Sequence, residues 1–173
     1  PAAGPARHYL LATDAKSAAT LDIMGNRNDT PVLPGGRVVL VNGPAPAYLV
    51  LKGGQTRGKV LGPLADLGGP YVAVPGRPLA LRGSFVSPFS EAARLKLTWS
   101  TPAGWSVTPA EFAVDLPKGG RVAIEPKLVA PRESGRTGRE NLSLRYEAPG
   151  TSLTGTVVLP VDLAVLIDDR AAQ

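Results

Sequence analysis

The chain has 173 residues with a formal net charge of +5, no cysteine, 20 glycines and 18 prolines. Glycine and proline together are roughly twice as frequent as in average proteins, which excludes long helices and favours short strands joined by turns. The modest, dispersed charge argues against a nucleic-acid-binding tract, and no apolar run is long enough to cross a bilayer.

Residues 1–52 carry four predicted strands, at 8–13, 19–24, 37–42 and 47–52, and a turn at 25–29. Alternation gives this small partial sheet one apolar face, formed by Leu21, Ile23, Val38, Leu40, Tyr48 and Val50. Four strands cannot close a sandwich, so the face needs a cover. The cover is a second unit of this chain, a second copy or upstream sequence, and we favour upstream sequence.

Residues 53–69 are predicted to be a linker, because their first half is rich in glycine and polar residues. Residues 53–59 also match most of a phosphate-binding P-loop. However, Val60 stands where a Ser or Thr would bind the metal, and Gly62 and Pro63 interrupt the helix that must follow. We therefore interpret this segment as the boundary between two units.

Residues 70–173 are predicted to form an antiparallel immunoglobulin-like β-sandwich, so the fold class is all-β. Strands are expected at 71–74, 78–86, 94–99, 121–128, 142–146 and 153–167, separated by turn signals. Leu95, Leu97 and Trp99 share one parity, which places Trp99 in the core. Pro160 lies on the outward parity of the last strand, where we expect an edge position or a bulge.

Two segments resemble known families. Residues 96–129 contain Pro102-Ala103-Gly104-Trp105 and then Leu116-Pro117-Lys118-Gly119. This order resembles the NPCBM-associated Ig-like accessory domain beside the catalytic modules of bacterial alpha-galactosidases and other secreted glycosidases, over about residues 70–167. The charged stretch at 132–140 departs from that family, which usually has a short glycine turn there.

The second resemblance lies in the N-terminal segment. Leu21-Asp22-Ile23-Met24-Gly25-Asn26 and Pro46-Ala47-Tyr48-Leu49 are similar to the closing strands of the β-sandwich that follows the barrel in clan-A-type glycosidases. The resemblance implies that residues 1–52 are the end of such a sandwich. It also implies that a catalytic barrel lies upstream.

A carbohydrate-binding site needs flat, exposed aromatic rings, and the candidates are Trp105, Phe89 and Tyr71. Trp105 follows a turn, so no strand parity fixes its direction. The alternative, which we favour, is that Trp105 packs its own turn.

No catalytic residue is predicted within the chain. Glycoside hydrolysis needs two facing carboxylates, but Asp22, Glu125 and Asp162 lie on outward parities. The single histidine, His8, is interpreted as a surface or edge-strand residue, since no Gly-x-Ser-x-Gly motif accompanies it. Arg132, Arg136 and Arg139 alternate with acidic residues, which indicates a solvated loop. No metal or cofactor is predicted.

These observations favour a non-catalytic accessory fragment of a bacterial glycoside hydrolase-like protein that is secreted, periplasmic or bound to the cell surface. The expected partner is the upstream catalytic domain, with polysaccharide and self-association through residues 1–52 as further candidates; nucleic acid and membrane are not expected. The chain starts at Pro1 without a signal segment, so we expect a processed or truncated product. The alternatives are a free-standing carbohydrate-binding module and a cell-surface protein-interaction domain.

Overall fold

The computed structural model describes residues 7–42, 45–54, 58–132 and 138–164, which form strands, turns and loops and no helix. The first eight strands are β1 (Arg7–Thr13), β2 (Ser17–Asp22), β3 (Arg27–Thr30), β4 (Val32–Leu33), β5 (Arg37–Asn42), β6 (Ala47–Lys52), β7 (Gly58–Pro63) and β8 (Ala65–Asp66). The next ten are β9 (Tyr71–Ala73), β10 (Pro78–Ala80), β11 (Gly83–Val86), β12 (Ala93–Ser100), β13 (Ser106–Thr108), β14 (Glu111–Leu116), β15 (Arg121–Ile124), β16 (Lys127–Val129), β17 (Gly138–Glu147) and β18 (Thr154–Leu163).

The C-terminal two thirds of the described chain form an immunoglobulin-like β-sandwich, as predicted. One layer is a five-stranded sheet in the order β14-β12-β17-β18-β9. Two three-stranded sheets, β10-β16-β13 and β15-β11-β8, supply the other side of the core. The strand pairs are antiparallel except β18 with β9, which are parallel. The all-β fold class is therefore confirmed.

The main core follows the alternation of the long strands. On β12 the side chains of Leu95, Leu97 and Trp99 are buried, and Leu97 is matched across the pairing by Tyr146 of β17. Burying one such apolar side chain fully stabilises the fold by about 1.5–3 kcal/mol. The predicted core position of Trp99 is confirmed, since its exposed fraction is 6%.

The structure divides the predicted N-terminal partial sheet into two small sheets. One has the order β4-β5-β1-β7 and the other β3-β2-β6. They pack on each other through buried Leu11, Ala18 and Val38, with Leu49 and Leu51 partly buried beside them. The two sheets therefore cover part of each other's apolar surface.

The predicted apolar face of this segment is wrong at Ile23 and at Tyr48 of β6. Ile23 and Tyr48 are 64% and 65% exposed, whereas Leu49 and Leu51, on the opposite parity of β6, face the small core. Both faces of β6 carry apolar residues, so alternation alone does not specify which face is buried.

The predicted linker over residues 53–69 is corrected in its described part. Residues 58–63 form β7, which pairs antiparallel with β1, and Ala65–Asp66 form β8, which pairs with β11. The register shifts between Leu10 and Leu11, opposite Gly62 and Val60. This glycine-rich segment is therefore a paired strand and not a flexible linker. The register shift is an irregularity of the kind that bends a strand and increases its twist. The P-loop match includes residues 55–57, which lie outside the described residues.

Several short strands were not predicted. β3 occupies residues assigned to a turn, and β13 and β14 lie between predicted strands. The expected strand at 121–128 is broken into β15 and β16, with the carbonyl of Pro126 accepting a hydrogen bond from the amide of Leu81 at 2.8 Å. Residues 165–167 of the last predicted strand lie outside the described residues.

Pro160 occupies a position that explains its tolerance in a long strand. It pairs with Asn141 on β17, whereas β9 pairs only with residues 161–163 on the other side. Proline has no N–H to donate, and at this position β18 pairs with one strand only. Pro160 is therefore at a local edge of the sheet, which agrees with the predicted edge position.

Candidate functional site

The three aromatic candidates for carbohydrate stacking do not form an exposed platform. Trp105 and Phe89 are each 8% exposed and belong to the main core. Tyr71 is partly buried, and its hydroxyl accepts a hydrogen bond from the amide of Arg82 at 2.7 Å and lies within 2.9 Å of the carbonyls of Leu67 and Arg82. Burial of Trp105 agrees with the favoured interpretation that it packs its own turn, and the structure gives Phe89 and Tyr71 contacts within the fold instead of an exposed stacking surface.

Trp105 is fixed by its own turn. Its amide donates to the carbonyl of Pro102 at 3.1 Å, and its carbonyl accepts from the hydroxyl of Thr101 at 3.0 Å. Gly104 has a φ of 82°, which a side chain would disfavour, and a Cβ there would lie 3.2 Å from Pro131. The turn therefore directs the indole inwards.

The carboxylates predicted to face outward do so, and each has a structural partner. Asp22 accepts three hydrogen bonds in the turn after β2, from the amides of Met24 and Asn26 and from the side chain of Asn26, at 2.8–2.9 Å. These hydrogen bonds lower the pKa of Asp22. Glu125 lies 3.3 Å from Arg82.

Asp162 forms a bidentate ion pair with Arg139: Nε donates to Oδ1 at 2.8 Å and Nη2 donates to Oδ2 at 3.1 Å. The guanidinium lowers the pKa of Asp162, and the carboxylate raises that of Arg139. Arg139 is therefore used in a cross-strand pair between β17 and β18. Arg136, its predicted companion, lies outside the described residues.

A charged groove crosses the solvent face of the five-stranded sheet. It encloses about 280 Å³ between Lys96, Thr98, Glu111, Arg145 and Glu147. Lys96 lies 2.7 Å from Glu111, whose carboxylate raises the pKa of Lys96, and Arg145 lies 3.5 Å from Glu147. This groove holds two carboxylates, each already paired with a cation.

A second concavity, the junction cleft, lies where the N-terminal strands meet the turn between β17 and β18. It encloses about 240 Å³, with hydroxyl groups at its edge and apolar side chains beneath. The residues that line it are Thr20, Asp29, Thr30, Pro31, Leu33, Val39, Val41, Tyr146, Ser152, Leu153 and Thr154. Asp29 is paired with Arg27 at 2.8 Å. The cleft offers hydrogen-bonding groups but, within the described ranges, no cluster of metal ligands.

Tyr146, one of the residues lining the cleft, belongs to a buried polar pair that the sequence reasoning missed. His8 of β1 is hydrogen-bonded through Nδ1 to the hydroxyl of Tyr146, and the ring centroids lie 5.5 Å apart in an edge-on arrangement. His8 is 4% exposed and Tyr146 is fully buried. Burial lowers the pKa of His8 and raises the pKa of Tyr146.

The interpretation of His8 as a surface or edge-strand residue is therefore wrong. β1 lies between β5 and β7, so His8 is on a central strand. The available signal was parity: His8 shares a face with Leu10, which is 1% exposed. Its partner is 138 residues away in the chain, and no local pattern identifies such a contact.

No protein-family model and no curated protein matches the chain. A similar solved structure is a family 123 glycoside hydrolase from Clostridium perfringens, described for glycolipid glycan hydrolysis, with 13% identity and a TM-score of 0.42. The match covers 56% of this chain and 23% of that one, so the chain spans less than a quarter of the hydrolase.

Two MSP family proteins of Caenorhabditis elegans are also similar. WR4 has 14% identity and a TM-score of 0.36 over 54% of this chain and 92% of its own. SSP-19 has 17% identity and a TM-score of 0.35 over 55% and 94%. These likenesses concern the fold alone. Separately, no helix in the described ranges has the length and hydropathy needed to cross a membrane.

Proposed function

We propose that the chain is a non-catalytic accessory β-sandwich unit of a larger, secreted bacterial protein of glycoside hydrolase type. Its role is structural: it packs beside a catalytic domain of the same polypeptide. The two sequence resemblances given above support this assignment, and the turns that carry them, at residues 22–26 and 102–105, are closed by hydrogen bonds.

The observation that carries the proposal is that four acidic side chains already have partners, in ion pairs or in a turn. Hydrolysis by paired carboxylates needs one carboxylic acid and one free carboxylate across a sugar-sized gap. Here Glu111, Glu147 and Asp162 lie on the solvent face of the sheet beside Lys96, Arg145 and Arg139. Asp22 closes a turn. Each of these carboxylates is thus engaged in an ion pair or a turn, whereas the hydrolysis needs one carboxyl group that holds a proton and a second that is free.

A contact surface for the catalytic domain is available at one end of the sheet β3-β2-β6. Ile23 and Met24 at the turn and Tyr48 on the neighbouring strand are 64%, 80% and 65% exposed. Asp22 pairs with Ala47, so these three apolar side chains lie at the same end of the sheet. Apolar side chains of this size gain about 1.5–3 kcal/mol each when fully covered, which supports a protein contact here.

The test is the release of reducing sugar from a broad polysaccharide panel by the purified full chain. We expect no release, and no retardation of the chain on polysaccharide gels, since Trp105 and Phe89 are buried in the core. The matched variants are Glu111→Gln and Glu147→Gln, which alter the charged groove, with Glu91→Gln as a control at an exposed position.

Two results would count against the proposal. Sugar release that is lost in Glu111→Gln or Glu147→Gln but kept in Glu91→Gln would place a catalytic pair in the groove. Retardation that is lost in a folded Trp105→Phe variant would favour the carbohydrate-binding module.

A further inference from the structure

His8 and Tyr146 join two parts of the molecule that no strand pairing connects. His8 lies on β1, in the N-terminal sheet β4-β5-β1-β7, and Tyr146 lies on β17, in the centre of the sandwich. The described strand pairings link β1 only with β5 and β7. The His8–Tyr146 hydrogen bond is thus a direct polar connection from the N-terminal sheet to the main core.

Tyr146 and Gly155 limit the movement of the imidazole in this contact. Tyr146 also packs edge-on against Phe85, with ring centroids 5.8 Å apart, so its ring is held from the other side. The backbone of Gly155 on β18 closes the remaining side, because a Cβ built there would lie 2.8 Å from Cε1 of His8. Because His8 is 4% exposed, a charged imidazole is poorly solvated as long as this contact stays closed.

The groups that face His8 from the surrounding strands carry no charge. Val41 is its partner on β5, Leu64 donates its amide to the carbonyl of His8 at 2.8 Å, and Tyr146 and Gly155 meet its ring. Tyr146 is the titratable group among these. Arg145 and Glu147 flank Tyr146 on β17 but point to the solvent face of the sheet.

Charged groups on the paired strands lie further along. Arg37 on β5 and Lys59 on β7 are both paired with Ala12, four residues from His8, which is about 13 Å along a strand. No carboxylate among the described residues that meet His8 is therefore in place to stabilise an imidazolium.

We propose that His8 is an acid-sensitive latch, whose protonation releases the N-terminal sheet from the sandwich. In the neutral tautomer that carries its proton on Nε2, Nδ1 accepts a hydrogen bond from the hydroxyl of Tyr146. Protonation turns Nδ1 into a donor, so the tyrosine hydroxyl loses its acceptor, and it places a positive charge in an apolar enclosure. Opening of β1 returns the charged ring to water.

The direction of the pH dependence follows from burial. In the closed protein the pKa of His8 lies below its ordinary value of 6.5, whereas in an opened state the ring is solvated and regains that value. The opened state therefore binds more protons than the closed state at mildly acidic pH. The closed state loses stability as pH falls below 6.5, and the loss is complete once pH is below the pKa of the closed state.

The experiment is hydrogen–deuterium exchange on the full chain, comparing wild type with His8→Gln at about pH 7.5 and about pH 5, on either side of the ordinary histidine pKa. His8 is the one histidine of the sequence, and Gln keeps an acceptor for Tyr146 without titrating. Comparison at equal pH cancels the intrinsic pH dependence of exchange. The β12 amides are the internal control.

At the lower pH we expect faster exchange in β1 and β5 of wild type than of the variant, by about tenfold for each unit between the ordinary pKa of 6.5 and either the pKa of the closed state or the pH of the experiment, whichever is higher. At the higher pH this acid-dependent difference should vanish, and β12 should show none at either pH. An equal acid response in His8→Gln, or a response of β12 as large as that of β1, would overturn the latch.

If His8→Gln fails to fold, the NMR titration of the His8 ring in wild type decides. A ring that titrates below 6.5, together with acid-dependent shifts of β1 amides, supports the latch. A ring that titrates at 6.5 or above in the folded protein refutes it.

Discussion

Trp99 and Trp105 occupy the same core in different ways. Trp99 stands on β12, where strand alternation alone directs it inward, whereas Trp105 is directed inward by the turn at 102–105. The indole N–H of Trp99 is buried without a hydrogen-bond partner among the described residues. Such a donor costs about 1–3 kcal/mol relative to a solvated one, so the packing of the Trp99 ring must outweigh that cost.

We expect Trp99→Ala and Trp105→Ala each to lower the free energy of unfolding by about 3–5 kcal/mol, the usual range for a buried large aromatic residue. Trp99→Phe should cost clearly less than Trp99→Ala, because Phe refills most of the space and removes the unpaired donor. Urea unfolding of the three variants measures these differences. An unchanged midpoint for Trp99→Ala, or equal losses for Trp99→Phe and Trp99→Ala, would contradict this account.

The buried face of a strand is predicted correctly where apolar and polar residues alternate clearly along it. β12 alternates apolar with mainly polar residues, and its buried face was predicted correctly. β6 has apolar residues on both faces, so the predicted face was wrong. β7 was predicted as a linker because its pairing with β1 depends on residues about 50 positions away, and glycine content gives no sign of that partner.

The candidate site shows the same limit. The outward carboxylates were predicted from parity. Asp22 has its partners within its own turn, whereas Glu125 and Asp162 pair with arginines 43 and 23 positions away in the chain. The His8–Tyr146 pair depends on the approach of β1 to β17, which follows from how the sheets pack. Trp105 illustrates the converse case: its turn was recognised, but the direction of the ring depends on the core that forms around it.

The turn between β2 and β3 provides a test at this scale. We expect Asp22→Ala to lower the urea midpoint and to increase exchange of the β2 and β3 amides, because three hydrogen bonds close that turn. Asp29→Ala is the matched control, since Asp29 makes an exposed ion pair with Arg27, and such pairs contribute little to stability.

The same carboxylate gives the test a pH dependence. Its pKa in the folded protein lies below the ordinary value of 3.8, so its contribution is present above that pH and is lost as pH falls through the lowered pKa. The difference between wild type and Asp22→Ala should therefore shrink in acid below pH 3.8. A difference that persists unchanged there, or an Asp29→Ala effect as large as that of Asp22→Ala, would be inconsistent with this role.

For the whole molecule, the question is how far the N-terminal sheets and the sandwich depend on each other. All buried members of the main core except Leu33 come from residue 64 or later, so the sandwich is nearly self-sufficient. The N-terminal cluster, in contrast, has three buried members, Leu11, Ala18 and Val38. The described contacts between the parts include Leu33, partly buried Val39, the His8–Tyr146 contact, and the hydrogen bond from the amide of Leu64 to the carbonyl of His8.

We therefore expect a fragment starting at Leu64 to fold cooperatively as a monomer, with a lower unfolding midpoint than the full chain because Tyr146 loses its partner and Leu33 leaves the core. A fragment of residues 1–52 should remain unfolded, since it lacks β7, which pairs along β1, as well as the surface on which Leu33 is buried. Circular dichroism, urea unfolding and sedimentation on both fragments measure this. If residues 1–52 fold as a stable monomer, the N-terminal sheets do not need the sandwich; if the fragment from Leu64 is unfolded, the chain is one cooperative unit, and acid could not open the N-terminal sheet without unfolding the rest.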